Sequence, residues 1–309
     1  MGLNHNMMQS DRIKEIVEFI EEYGIEKAQQ QYGLKSETLY RYVRASKQDT
    51  RMRAKILILD IETAPMKAYI WRRWKENIGD SQVISRWFLL TWSAKWLFDD
   101  KVMSGKLTGK EARAQNDKRI VSELWSLLDE ADIVVAHNGE RFDIPQMNAR
   151  FIVHGLRPTT PYQQIDTLRI ARKQFDFDGN GLDNLANIFG ITGKVQTSFE
   201  LWERCVDGKS KALKEMETYN KQDVLLLEEM YLKMRPWIKS HPNLGLYVDA
   251  EEPICSSCGS TNVEPKGDYV TTVGKYQTYV CDDCGAFSRE RTSHVSKEKR
   301  KSLLVSIAR

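Results

Sequence analysis

Residues 54–63, Ala-Lys-Ile-Leu-Ile-Leu-Asp-Ile-Glu-Thr, decide how the rest of the chain is read. Ile56, Leu57, Ile58 and Leu59 form a short continuous apolar run, the pattern of a central strand buried on both faces. Two carboxylates follow, Asp60 and Glu62, with one residue between them. Side chains alternate across a strand, so these two project from the same face at its end. Unpaired, they would repel and resist desolvation. A divalent cation removes that cost, and Mg²⁺ or Mn²⁺ suits an all-oxygen site. The alternative is a strand running into a loop that carries acidic residues at its mouth.

Working outward, residues 88–96 read as another strand of the same sheet. Residues 118–128 have helical periodicity through Ile120, Val121, Leu124 and Leu128, and lead into a second buried strand, 133–136. Strand, helix, strand in that order implies a largely parallel sheet flanked by helices. The second strand runs into His137-Asn138-Gly139-Glu140-Arg141-Phe142-Asp143. In open parallel sheets, sites form at the carboxyl ends of strands, so Asp143 can converge with Asp60 and Glu62. Residues 181–186 open a helix that ends near Gly190. Residues 216–234 form a further helix, in which Tyr219 and Asp223 are four apart and share a face. Alone, such a pair would be a solvated face. Trp71, Trp74, Trp87, Trp92 and Trp96 crowd the segment after the first strand. Exposed aromatics can stack on unpaired bases, but packing is the favoured reading, since most tryptophans are core or half-buried.

The 309 residues suffice for one sizeable core and one or two small modules. No apolar run approaches the roughly 18–20 residues needed to cross a bilayer, and the first residues lack a signal-peptide pattern, so no membrane association and a cytoplasmic location are expected. A net charge of +3 does not by itself announce a nucleic-acid binder. Residues 1–50 divide into three short helical patterns. Ile13, Ile16, Val17 and Ile20 mark the first, closed by Gly24; Ile25, Ala28 and Tyr32 mark the second. After Gly33, Ser36 is a plausible N-cap for a third with Leu39, Tyr40 and Val43. The arrangement resembles a helix-turn-helix whose last helix would offer Ser36, Thr38, Arg41, Tyr42 and Arg44 to DNA. Any small three-helix cap shows the same pattern. Residues 45–53 read as a linker.

Taken together, Asp60-Ile61-Glu62-Thr63, then Asn138-x-x-x-Phe142-Asp143, then Tyr219-x-x-x-Asp223 resemble, in order and spacing, the three motifs of the DnaQ-like 3′→5′ exonuclease superfamily. The tyrosine four residues before the last aspartate resembles the tyrosine branch of that DEDD group. The Trp-rich segment is similar to RNase H-like predicted nucleases of bacteriophages and bacteria. The resemblance covers about residues 55–236. It implies an α/β domain with an RNase H-like mixed sheet flanked by helices, over residues 51–245. It also implies that Asp60, Glu62, Asp143 and Asp223 hold two Mg²⁺ or Mn²⁺ ions about 4 Å apart. Tyr219 would orient the attacking water, its unperturbed pKa near 10 making it a poor base. Asn138 and Phe142 are candidate nucleic-acid contacts. Asp166 and His137 have no motif position; Asp166 is read as support for the ligands and His137 as structural.

Beyond this domain, Cys255-x-x-Cys258 and Cys281-x-x-Cys284 are separated by 22 residues and each pair is followed by glycine. That spacing reads as a four-cysteine zinc ribbon over residues 246–292, holding one structural Zn²⁺ with no open position. Disulfides are the alternative. Residues 270–280 supply Val273, Tyr276 and Tyr279, with Tyr269 before them, for the ribbon strands, and Cys205 is left as a buried or inert thiol. From Gly285 onward seven Lys or Arg stand against two Glu, so the basic tail, 293–309, either tracks a phosphate backbone or is a solvated end.

The leading expectation is a metal-dependent 3′→5′ exonuclease acting on nucleic acid. DNA is favoured because helix-turn-helix modules usually read duplex DNA. The alternatives are a structure-specific endonuclease on the same site, and a DNA-binding regulator or assembly factor that keeps the fold as a platform.

Overall fold

A computed structural model describes residues 12, 15–20, 22–35, 38–39, 42–43, 54–191 and 197–307. Two compact units divide the chain: residues 54–239 form one, and residues 1–53 with 240–309 the other.

Residues 54–239 are built on a five-stranded sheet. In chain order its strands are β1 (Ile56–Thr63), β4 (Leu89–Trp96), β5 (Met103–Lys106), β6 (Ile133–Ala136) and β7 (Gln163–Asp166), with the hairpin β2 (Lys67–Ala68) and β3 (Val83–Ser85) inserted after β1. The spatial order is β5-β4-β1-β6-β7. β1 is central, as its apolar run requires: Leu57, Ile58 and Leu59 have no exposed surface. It pairs antiparallel with β4 and parallel with β6, β4 pairs antiparallel with β5, and β6 pairs parallel with β7. The sheet is therefore mixed, not largely parallel. The β1-to-β4 connection is a hairpin without a crossover helix, so β4 returns beside β1 in the opposite direction.

The helices of this unit are α2 (Gly109–Arg113), α3 (Lys118–Glu130), α4 (Asp143–Val153), α5 (Thr167–Gln174), α6 (Leu182–Ile188), α7 (Phe199–Val206) and α8 (Ser210–Met234), preceded in the chain by α1 (Ile25–Tyr32). The last helix is 25 residues long and starts before the expected residue 216, because Ala212 and Leu213 also face the core. It packs on β4, β1 and α7. Leu213, Met216, Asn220, Asp223, Leu227 and Met230 are buried at intervals of three and four, the stripe of a helix lying on a sheet. Two polar ties sit in this core. Lys95 in β4 pairs with Glu228 of α8, and Glu228 also accepts from the Phe98 N–H at 3.0 Å. Asp117, fully buried, accepts from the Leu89 N–H at 2.8 Å, from Arg150 at 2.5 Å and from His154 at 2.6 Å. The second tie locks α4 to the start of β4.

The tryptophans separate into two groups. Trp92 is buried on β4 and Trp96 and Trp87 are half-buried, but Trp71 and Trp74 in the β2–β3 loop are 91% and 76% exposed. Packing, the favoured reading for all five, fails for these two. The loop leaves the sheet before any second layer can cover it.

In the other unit, Ile16, Ile20, Ala28 and Leu39 form a small core joined by Tyr32, Tyr42 and Val43. α1 is closed by Gly33 at φ 66°. Tyr42 packs against this core, while Ser36, Arg41, Arg44 and the linker 45–53 lie outside the described residues. The C-terminal part is a three-stranded antiparallel sheet of β8 (Val263–Val270), β9 (Lys275–Cys281) and β10 (Phe287–Arg289). Residues 270–280 contribute to two of these strands, with Val273 in the turn between them. The basic tail carries a short solvent-exposed helix, α9 (Lys297–Ser302), N-capped by Ser296. Among the described residues, no helix is long and apolar enough to cross a membrane.

Candidate active site and metal centres

Asp60 and Glu62 leave β1 on one face, and α8 lies against β1. Asp223 comes from that helix. One carboxylate oxygen from each of Asp60, Glu62 and Asp223 lies within 4.8 Å of the others. Asp143 stands beside this triangle as the first residue of α4, its Oδ1 accepting the Ile61 N–H at 3.2 Å. Because Ile61 separates Asp60 from Glu62, that bond fixes Asp143 against the same three residues of β1. A register shift between Glu62 and Thr63 ends the regular pairing with β4 at this point, a common device for re-aiming side chains beside a site.

The second carboxyl-end loop is held by Asp166. Its Oδ1 accepts from the Asn138 and Arg169 N–H groups, both at 3.1 Å, and its Oδ2 accepts from the Glu140 N–H at 3.2 Å. Asn138 adopts a left-handed φ of 69°, a conformation Asn tolerates better than most residues. A Cβ on Gly139 would lie 2.5 Å from the Ala136 Cβ, so the turn that delivers Asp143 needs glycine there. Phe142 packs against the hydrophobic core with its ring half-buried. His137 bonds Thr167 Oγ1 through Nδ1 at 2.9 Å, and burial lowers its pKa.

Two neighbours of the carboxylates escaped the sequence reading. Asn220 donates from Nδ2 to Asp60 Oδ2 at 2.5 Å, and its own Oδ1 is buried without a partner among the described residues. Its spacing of three from Asp223 was the available signal, since both then face the site. Trp202 of α7 hydrogen-bonds Glu62 and meets the Tyr219 ring edge-on at 6.3 Å. A single tryptophan in an amphipathic helix gives no such signal.

Charge in the pocket is uncompensated. Burial, then Asp143, Glu62 and Asp223, push the Asp60 carboxyl well above the usual range, with Asn220 opposing. Burial, then Asp223 and Asp143, raise Glu62 to about 8, and burial raises Asp143 to about 7. The opposing groups are Asn220, Trp202 and backbone N–H groups, none of them cationic. Four acidic side chains with an unsatisfied amide oxygen form a hard-oxygen donor set that lacks its positive charge, which a divalent cation fits. Tyr219 donates to Asp223, and burial followed by the charge of Asp223 raises its pKa, so the phenol keeps its proton.

The four cysteines make the second centre. Their sulfurs lie within 4.8 Å of one another, with Cys255–Cys284 and Cys258–Cys281 at 3.6 Å. That is far longer than an S–S bond of about 2.05 Å and close to the edge of a tetrahedron with metal–sulfur bonds of about 2.3 Å. The two turns repeat each other: the Gly259 N–H returns to the Cys255 carbonyl at 2.9 Å and the Gly285 N–H to Cys281 at 2.8 Å. Both glycines have φ near 75° (75° and 76°), which explains why glycine follows each pair. Cys205 is buried apart from them, and burial raises its thiol pKa to about 12. Among the described residues, these four cysteines and the Asp60–Glu62–Asp223 triangle are the acidic, His or Cys groups of three or more able to share an ion.

The RNase_H superfamily profile matches residues 97–235. This segment runs from just before β5 to the end of α8 and carries Asp143, Tyr219 and Asp223, while Asp60 and Glu62 precede it. The mixed sheet with its helices is RNase H-like. Among curated proteins none matches the chain. Among solved structures, the family B DNA polymerase from the hyperthermophilic archaeon Pyrobaculum calidifontis is similar at 16% identity with a TM-score of 0.45, over 63% of this chain and 25% of the polymerase. The chain thus spans about a quarter of that polymerase's length.

Proposed function

We propose that the chain is a metal-dependent 3′→5′ exonuclease that hydrolyses phosphodiester bonds of nucleic acid, with DNA the favoured substrate. One observation carries the reading: Asp223 follows Asp60 by 163 residues and Glu62 by 161, yet the three carboxylates lie within 4.8 Å of one another, with Asp143 bonded to the Ile61 N–H between the first two. An RNase H-like domain over residues 97–235 supports it. Two Mg²⁺ or Mn²⁺ ions bound there would neutralise charge at the scissile phosphate and acidify a water. Asp60, Glu62, Asp143 and Asp223 would hold them, and Asn220 fixes the Asp60 carboxylate. Water adds to phosphorus, the bond to the 3′ oxygen breaks, and a 5′-mononucleotide and a shortened 3′-hydroxyl strand result. Tyr219 keeps its proton and presents a hydroxyl beside Asp223, so its role is to orient the attacking water. The four cysteines would hold one structural Zn²⁺, and the N-terminal helices and the ribbon would grip the nucleic acid.

Direction of attack is the test. A 5′-labelled single strand should yield a ladder of progressively shortened products that a blocked 3′ end abolishes. Internal cuts surviving the block would overturn the exonuclease reading in favour of an endonuclease.

A further inference from the structure

The β2–β3 loop has no role in the reading above, yet it is both built and unusually exposed. Its root is the Ala64 N–H bonded to the Phe88 carbonyl at 2.8 Å, two residues beyond Glu62. At about 3.3 Å per residue, the root stands within roughly 7 Å of the Glu62 backbone. Inside the loop, the Glu76 carboxylate accepts from the Trp71 N–H at 3.0 Å, the Arg72 N–H at 2.6 Å and Gln82 Nε2 at 3.0 Å. Tyr69 and Gln82 close the base through a 2.9 Å backbone bond. These bonds hold the Glu76 carboxyl below its usual range, the Trp71 N–H first. Glu76 is thus consumed internally, and Asp80 pairs with Arg86 at 3.1 Å.

What remains facing solvent is cationic and aromatic. Lys67, Arg72, Arg73 and Lys75 are exposed and make no ion pair among the described residues. Arg73 lies over the Trp74 ring at 5.6 Å. Trp71 and, outside its Arg73 contact, Trp74 offer indole rings that the fold leaves largely exposed. Positive charge beside free indole faces complements a chain of phosphates whose bases have their own faces uncovered, and a duplex hides those faces within its stack.

We propose that residues 67–82 form a stacking arm that binds unpaired nucleotides of a single strand entering the carboxylate site. The inference deepens the nuclease reading and rests on it for the identity of that site.

The test uses the full chain in EDTA, which withholds the divalent ions that cleavage requires on this reading, with a fluorescein-labelled 12-nucleotide single strand and a blunt duplex as anisotropy probes. Trp71→Ala/Trp74→Ala should weaken single-strand binding at least 10-fold while duplex affinity stays within two-fold and the melting temperature is unchanged. Arg72→Ala/Arg73→Ala should lower the slope of log affinity against log salt by about 1.4. Single-strand affinity within two-fold of wild type in the tryptophan variant would overturn the arm, as would an equal loss on both probes. So would binding of wild type to phosphatidylglycerol vesicles that the tryptophan variant loses while its oligonucleotide affinity is unchanged. Wild-type hydrolysis of a thymidine 5′-(p-nitrophenyl phosphate) ester with Mn²⁺ is read separately. Its absence would sink the nuclease reading, whereas the arm stands or falls on the anisotropy.

Discussion

Asn220 reaches across from α8 to donate its amide to Asp60 on β1 at 2.5 Å, tying together two residues 160 positions apart. The bond holds the Asp60 carboxylate in one orientation beside Glu62 and Asp223. Asn220→Ala should therefore lower cleavage by about 10–100-fold and weaken Mn²⁺ binding, the usual scale for a residue that orients a metal ligand. Wild-type rate and wild-type Mn²⁺ affinity in this variant would remove Asn220 from the site.

Tyr219→Phe separates orientation of water from binding of metal. The phenol donates to Asp223 and holds its proton, so its loss should slow single-turnover cleavage by about 100-fold with Mn²⁺ affinity changed by less than about 3-fold. Calorimetric titration beside the rate measurement checks this. An equally large metal defect would contradict the assigned role.

The uncompensated carboxylates give the metal-free protein a defined pH response. In the unfolded chain Glu62 ionises near 4.3; folded, it ionises near 8. Between those values the folded state keeps a proton that the unfolded state has released, so stability falls as pH rises through that window. In EDTA the melting temperature of the residues 54–239 transition should drop between pH 5 and 8.5, and Glu62→Gln should recover about 2 kcal/mol at pH 8, roughly 4–8 °C. Millimolar Mn²⁺ should restore wild type at the same pH by favouring the ionised form. A melting temperature that is flat in EDTA over this range would mean the carboxylates do not burden the fold.

For the cysteine centre, elemental analysis of reduced protein should give about one zinc per chain, and Cys255→Ser should lose it together with the folding of residues 246–292. Gly259→Ala, forced into a φ of 75°, should retain zinc but release it more readily to a chelator. Zinc-free, folded wild-type protein would overturn the assignment.

Much of this was legible because the decisive signals are local. The apolar run ending in Asp60 and Glu62 places them at the end of a central strand. The CxxC pairs with their glycines encode two matching turns. The antiparallel return of β4 was not legible, because hairpin and crossover connections differ in tertiary path and not in strand pattern. Nor was the buried Lys95–Glu228 pair, since each residue alone reads as a solvated charge. Trp71 and Trp74 misled for a related reason: the same indole marks a core or an exposed platform, and only the absence of a covering layer tells them apart.

The proposed activity requires Asp60, Glu62 and Asp223 to act as one metal-dependent site. Its most direct test is single-turnover cleavage of a 5′-labelled single-stranded DNA by wild type, Asp60→Ala and Asp223→Ala, each with EDTA or Mn²⁺ and each matched by circular dichroism. Wild type should cleave with Mn²⁺ and not in EDTA, and either folded variant should lose at least about 10³-fold in rate. Cleavage that persists in EDTA, or survives Asp223→Ala at the wild-type rate, would contradict it.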